Sequence, residues 1–118
     1  MNDGARTPEE LEMLFEDALV VRDPQMLAEL FEEGAVFIAG RALPARGGEE
    51  IATVALATWS GDDAFIADPR RVMQARDVAL IVVEGGINVV RRGRDGAWRY
   101  AIVVKSVADV AAGERRAQ

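Results

Sequence analysis

Residues 79–107 read ALIVVEGGINVVRRGRDGAWRYAIVVKSV. Two β-rich apolar runs flank Gly93-Arg94-Asp95-Gly96, a four-residue hairpin signal. Gly85-Gly86 interrupts the first run, and paired glycines within a strand pattern predict a bulge or a sharp bend. The reading is a long strand over Ala79 to Arg92, a turn, and a closing strand over Trp98 to Val107. Val78 to Val83 and Tyr100 to Val104 are apolar without alternation, which predicts a sheet covered on both faces.

Upstream the pattern turns helical. Thr7-Pro8-Glu9-Glu10 combines a cap, a proline suited to the first helical position and a capping-box acid. Leu11, Leu14, Phe15, Ala18 and Leu19 form an apolar stripe, with Glu12, Glu16 and Asp17 outside it. Asp23-Pro24 stops this helix and starts a second, whose inner face is Met26, Leu27, Leu30 and Phe31 and whose end is Gly34. Ala35 to Ala39 reads as a short strand. Gly47-Gly48-Glu49-Glu50 opens a third helix with Ile51, Val54, Ala55, Thr58 and Trp59 on one face. Phe65 to Asp68 and Arg70 to Arg76 are strand-like around Pro69. The expectation is α+β: three N-terminal helices on a strongly bent antiparallel sheet, a cone-like half-barrel with a cavity. One domain spans 1–118, with 1–6 and 109–118 expected to be flexible.

Composition narrows the function. The 118 residues contain no histidine and no cysteine, which removes the usual neutral-pH base, thiol nucleophile and zinc ligands. Twenty acidic against 14 basic residues give a net charge of −6, which argues against nucleic-acid and anionic-membrane partners. Met1 to Arg6 lacks a signal-peptide core, and no apolar run approaches membrane-spanning length. A cytoplasmic location is expected. No metal or cofactor is expected.

Three helices cover one sheet face. The other, read as Ala79, Ile81, Val83, Ala101 and Val103, predicts a homodimer through the outer sheet face. Trp98, Tyr100, Ile102, Val104 and Ser106 are assigned inward on the closing strand, with Leu80, Val82, Glu84, Asn88 and Val90 on its neighbour. Asn88 is a candidate donor to a ligand carbonyl, or else an amide satisfying irregular backbone. Tyr100 is a candidate hydroxyl donor, or else a core aromatic. Trp59 and Phe15 are candidate walls of the cavity. Glu84 is the candidate catalytic base, since a carboxylate desolvated in a pocket becomes more basic; the alternative is a rim ion pair with an arginine. Lys105 reads as a solvated or dimer-rim lysine. Asp62-Asp63 lacks the spacing of a calcium loop.

The Asp23 break, Leu30-Phe31 followed by Ala35-Val36, Arg46-Gly47-Gly48-Glu49-Glu50-Ile51 and Asp95-Gly96-Ala97-Trp98-Arg99-Tyr100 carry a resemblance. Across residues 8–108 the chain resembles the superfamily of nuclear transport factor 2, SnoaL-like cyclases and ketosteroid isomerase. The resemblance implies the cone-like fold, which hosts isomerases, dehydratases, cyclases and non-enzymatic binders. It places the isomerase tyrosine on Phe15, the aspartate base on Ala39 or Ile38, and the protonated aspartate near Asn88. Phe15 has no hydroxyl and neither Ala39 nor Ile38 can take a proton, so the isomerase's constellation is not reproduced. The lead reading is therefore a small hydrophobic-molecule-binding protein. The alternatives are a metal-independent isomerase, dehydratase or cyclase using a carboxylate base, and a dimeric adaptor with a vestigial pocket.

Overall fold

In a computed structural model the described residues are 4–60 and 65–106. The expected tail at 109–118 and the Asp62-Asp63 pair lie outside them. Helix α1 (Pro8–Val21) begins where expected: Pro8 stands in its first turn, and Thr7 Oγ1 accepts the Glu10 N–H at 3.0 Å. It closes on Arg22 in the left-handed region, φ 53°, whose N–H reaches back to Ala18 and Leu19. Asp23 then caps α2 (Pro24–Ala28) by accepting from the Gln25 and Met26 N–H groups, each at 3.1 Å.

Helix α2 stops earlier than the sequence suggests. Strand β1 spans Phe31–Ala39, so Phe31 and Gly34 belong to a strand. Gly34 has φ +79° where the β1 register shifts, between Phe31 and Val36. The glycine thus serves an irregular strand, not a helix end. The short β2 (Ala45–Arg46) pairs with β1 and leads into α3 (Gly48–Thr58). The third helix therefore follows two strands instead of completing an N-terminal trio. Residues 65–68, expected as a strand, are irregular. Strands β3 (Arg71–Ala75), β4 (Val78–Val83), β5 (Gly86–Arg92) and β6 (Trp98–Lys105) complete a curved six-stranded sheet in the order β2-β1-β6-β5-β4-β3.

The sheet is mixed: β1 runs parallel to β6, and the other pairings are antiparallel. The connection through α3 and the β3–β5 meander brings β6 back beside β1 in the same direction, as a crossover allows.

Two local geometries revise the expected faces. Val83 pairs with Gly86, so Glu84-Gly85 is a two-residue hairpin turn between two strands, not a bulge within one. Gly85 has φ +71°, the left-handed geometry such a turn requires. The bulge lies instead on β6: Val89 pairs with Ile102 and Val90 with Tyr100, leaving Ala101 as the extra residue. An extra residue exchanges the faces. Tyr100 is buried as expected, but past Ala101 it is Val103 that is buried, while Ile102 is 40% exposed. On β4, Ala79 and Ile81 are buried and Val78 is exposed, so the core face of this strand is opposite to the one expected. Ala79, Ile81, Ala101 and Val103 are therefore core residues. The row Met73, Leu80, Val89 and Ile102, aligned by register, occupies the other face.

The core joins Leu11, Phe15, Ala18 and Leu19 of α1 to Leu27 of α2, Ile51, Ala52 and Ala55 of α3, and the inner sheet face. Ala5, in the stretch expected to be loose, is buried and accepts the Trp98 N–H at 2.9 Å.

Candidate functional site

Helix α1 places Glu12 and Phe15 one turn apart on its buried side, both facing the sheet's inner face. Glu12 was assigned to the helix exterior; it is fully buried, while Met13 on the same helix is 61% exposed. The spacing explains the reversal. Glu12 precedes Phe15 by three residues and Leu19 by seven, which puts it on the apolar stripe.

Across the interface, β5 offers Asn88 and β6 offers Tyr100, both buried. Asn88 pairs with Val103, two residues beyond the Ala101 bulge, so the bulge sets Asn88 and Tyr100 close enough to meet one carboxyl group. Glu12 Oε2 accepts the Asn88 Nδ2–H at 3.1 Å and also the Tyr100 hydroxyl proton. Glu12 Oε1 is buried with no hydrogen-bond partner. Burial raises the Glu12 pKa above its ordinary 4.5, and the bonds from Tyr100 and Asn88 pull the other way. Burial, and then the neighbouring Glu12, push the Tyr100 hydroxyl well above its usual value of 10, so it keeps its proton and donates.

Aromatic rings surround this group. Phe15 makes edge contacts with Trp59 at 5.4 Å, Phe65 at 4.9 Å and Tyr100 at 5.5 Å between centroids. Trp59 stands at the end of α3, where the Arg22 guanidinium donates to the carbonyls of Leu56 (2.7 Å) and Trp59 (3.2 Å). Those carbonyls end the helix without intrahelical partners, so one side chain from α1's cap fixes the Trp59 backbone. Phe65 is placed by Glu16, whose carboxylate accepts the Ala67 N–H at 2.5 Å.

These elements enclose a cleft of about 430 Å³. Phe15, Trp59, Asn88 and Tyr100, singled out from sequence, all line it, and Glu12 and Phe65 join them. Glu84 lines only its edge: its carboxylate is 87% exposed and lies 3.5 Å from Arg70. The burial that would have made Glu84 a base is missing because Glu84 sits at the tip of the β4–β5 turn. The rim ion pair is the arrangement found. Lys105, expected on the outer face, lines the cleft opposite Gly86, because the Ala101 bulge turns the end of β6 inward. Among the described residues, no three His, Cys, Asp or Glu side chains converge as metal ligands.

No protein-family model matches the sequence, and neither does any curated protein. The fold is similar to those of solved structures. A ketosteroid isomerase-like protein from Erwinia carotovora atroseptica superimposes with a TM-score of 0.63 at 17% identity, covering 81% of this chain and 89% of that one. An NTF2-like protein with a cystatin-like fold from Novosphingobium aromaticivorans gives 0.65 at 20%, covering 87% and 84%. A conserved protein from Planctomyces limnophilus gives 0.66 at 18%, covering 81% and 89%. The chain thus has the NTF2-like, ketosteroid isomerase-like fold. No helix among the described residues is long and apolar enough to cross a membrane.

Proposed function

We propose that this protein binds a small, mostly apolar molecule in the cone-shaped cavity between α1, the end of α3 and the concave sheet. The observation that carries the reading is the cleft of about 430 Å³ walled by Phe15, Trp59, Phe65 and Tyr100 with one polar cluster among them. Small-molecule sites span about 300–1,000 Å³ and pair apolar walls with a few placed polar groups. An adaptor with a filled, vestigial pocket is less well supported, since Phe15 and Trp59 wall the cleft without closing it and Met13 on the same helix is exposed. The test is titration with the neutral fluorophore N-phenyl-1-naphthylamine. Saturable one-to-one binding is expected in the wild type, and its loss in Val83→Trp, which fills the cleft from its edge. Absent binding in the wild type, or full binding in the folded variant, would refute the reading.

A second reading has one observation behind it. Glu12 is a buried carboxyl with a raised pKa and a free oxygen in a ligand-sized cleft. That is the equipment of a general acid or base. A metal-independent isomerase, dehydratase or cyclase would use Glu12 for proton transfer, not Glu84, with Tyr100 and Asn88 holding the other carboxyl oxygen. Its signature would be turnover lost in Glu12→Gln with ligand affinity retained; turnover surviving that change would remove Glu12 from the chemistry.

The homodimer also belongs to this proposal. Its surface is the row Met73, Leu80, Val89 and Ile102, in which Met73 is 41% and Ile102 40% exposed in a single chain. Light scattering should give twice the chain mass and should fall to one chain in Ile102→Lys, because an unpaired charge is costly to bury. A wild-type monomer at micromolar concentration would end the dimer reading. A cytoplasmic location, resting on the cysteine-free sequence, completes it, and cell fractionation would test that.

A further inference from the structure

The polarity of the ligand can be read from what Glu12 lacks. Its Oε2 already accepts two hydrogen bonds, and its Oε1 has no partner. Both protein groups that touch the carboxyl are neutral donors. Among the described residues no arginine or lysine bonds to it. A buried carboxylate in that situation lacks a counter-charge, the condition under which supplying one is most favourable. The walls nearest to it are the rings of Phe15 and Tyr100, with Trp59 and Phe65 completing the lining. Aromatic faces attract cations, and more so where water is excluded.

Lys105 also lines the cleft, opposite Gly86 and two residues along from the Asn88 pairing, but among the described residues no hydrogen bond or ion pair joins it to Glu12. Arg70, near the edge, is held between Asp68 and Glu84 at 3.2 and 3.5 Å. The cleft thus offers a carboxyl oxygen without a partner beside aromatic rings, with no cation bonded to that carboxyl among the described residues, in a chain of net charge −6.

We propose that the ligand is a hydrophobic amine bound as its ammonium ion, with an N–H donated to Glu12 Oε1 and the Phe15, Trp59 and Phe65 rings around its charged end. This rests on the binding reading above. A neutral alcohol could also donate to Oε1, but it would leave the carboxylate charge uncompensated and gain nothing from the rings as a cation does. A carboxylic acid would be repelled.

Three probes of one shape separate these cases: 2-phenylethylamine, 2-phenylethanol and phenylacetate. Each is titrated near neutral pH into the isotopically labelled protein, following the Trp59 indole and Asn88 side-chain amide resonances. The amine should bind about tenfold more tightly than the alcohol, a difference of about 1.4 kcal/mol, and phenylacetate most weakly. In Glu12→Gln, which keeps the shape and removes the charge, the amine should weaken to the alcohol's affinity while the alcohol changes little. In Phe65→Leu the amine should lose severalfold more affinity than the alcohol; this variant alters no buried polar group and so tests the same idea if Glu12→Gln does not fold. Equal wild-type affinity for amine and alcohol would overturn the amine inference and leave the binding reading standing. A preference for the amine that survives in folded Glu12→Gln, or in Phe65→Leu unchanged, would overturn it too. Failure of all three probes to bind would refute both.

Discussion

Tyr100→Phe removes one hydroxyl from the buried cluster and nothing else, and its effect should depend on pH. Phe keeps the ring, and with it the contacts to Phe15 and Phe31 at 5.5 and 5.2 Å. What is lost is the proton donated to Glu12 Oε2, leaving that oxygen with Asn88 alone. A hydrogen bond to a charged group is worth about 1.5–3 kcal/mol, and one between neutral groups about 0.5–1.5. The loss should therefore be near 1 kcal/mol when Glu12 is protonated and near 2 when it is ionised.

The direction in pH follows from Glu12 itself. Burial, the largest cause, holds its folded pKa above the ordinary 4.5. Between the two values the folded protein binds more protons than the unfolded chain, so this group's contribution is fully present below 4.5 and is lost as pH rises through the folded pKa. Tyr100 opposes that loss by stabilising the ionised form. Without the hydroxyl the folded pKa climbs further, and the gap between variant and wild type widens as pH rises above the wild-type Glu12 pKa. Urea unfolding at about pH 4 and at a series of higher pH values follows the widening. In a Glu12→Gln background the widening should vanish, because no ionisation remains. An equal loss at every pH in the series, or a loss under about 0.5 kcal/mol throughout, would refute the account of Glu12 as a buried titrating acceptor.

Asp23→Ala should cost about 1 kcal/mol in unfolding free energy, since Asp23 alone caps α2 through the Gln25 and Met26 N–H groups; Asp23→Asn should recover most of it in the same denaturation series. Asp95 is held down to about 2 by the Arg99 guanidinium and the Ala97 N–H. Its contribution is present above the unfolded carboxylate pKa and is lost as pH falls through about 2. The small stability difference between wild type and Asp95→Asn should shrink over that interval in acid titration by circular dichroism.

Local signals were legible in the sequence wherever a residue's nearest neighbours decide its geometry. Thr7-Pro8 and Asp23-Pro24 start helices because capping oxygens and proline act within one turn. Gly93 to Gly96 makes its turn for the same kind of reason. Asn88 and Tyr100 were placed on the inner face correctly, as their strands alternate up to the bulge. What failed was long-range. Gly85-Gly86 carries the signal of a bulge and of a turn alike; the pairing of Val83 with Gly86 decides for the turn and throws Glu84 to the tip. Nothing local marks Ala101 as the bulged residue, and yet it reverses the faces of Ile102 and Val103. The parallel β1–β6 pair depends on a crossover that no single segment encodes.

Glu12 was missed for a different reason. A glutamate on a helix is exterior by default, because burying a carboxylate alone is costly. Here the cost is offset by two donors that arrive from 76 and 88 residues away in the chain. Pattern reading sees only the residue type; the helical spacing from Glu12 to Phe15 and Leu19 was the available sign, and it conflicts with the charge. Such conflicts between a local rule and the fold collect at functional sites, where a polar group is retained for what it does. The rule applies with most force to Glu12 Oε1. A leucine at this position would leave the buried Asn88 and Tyr100 donors without an acceptor, and both of those bonds use Oε2. The oxygen without a partner is the one the proposed ligand would meet.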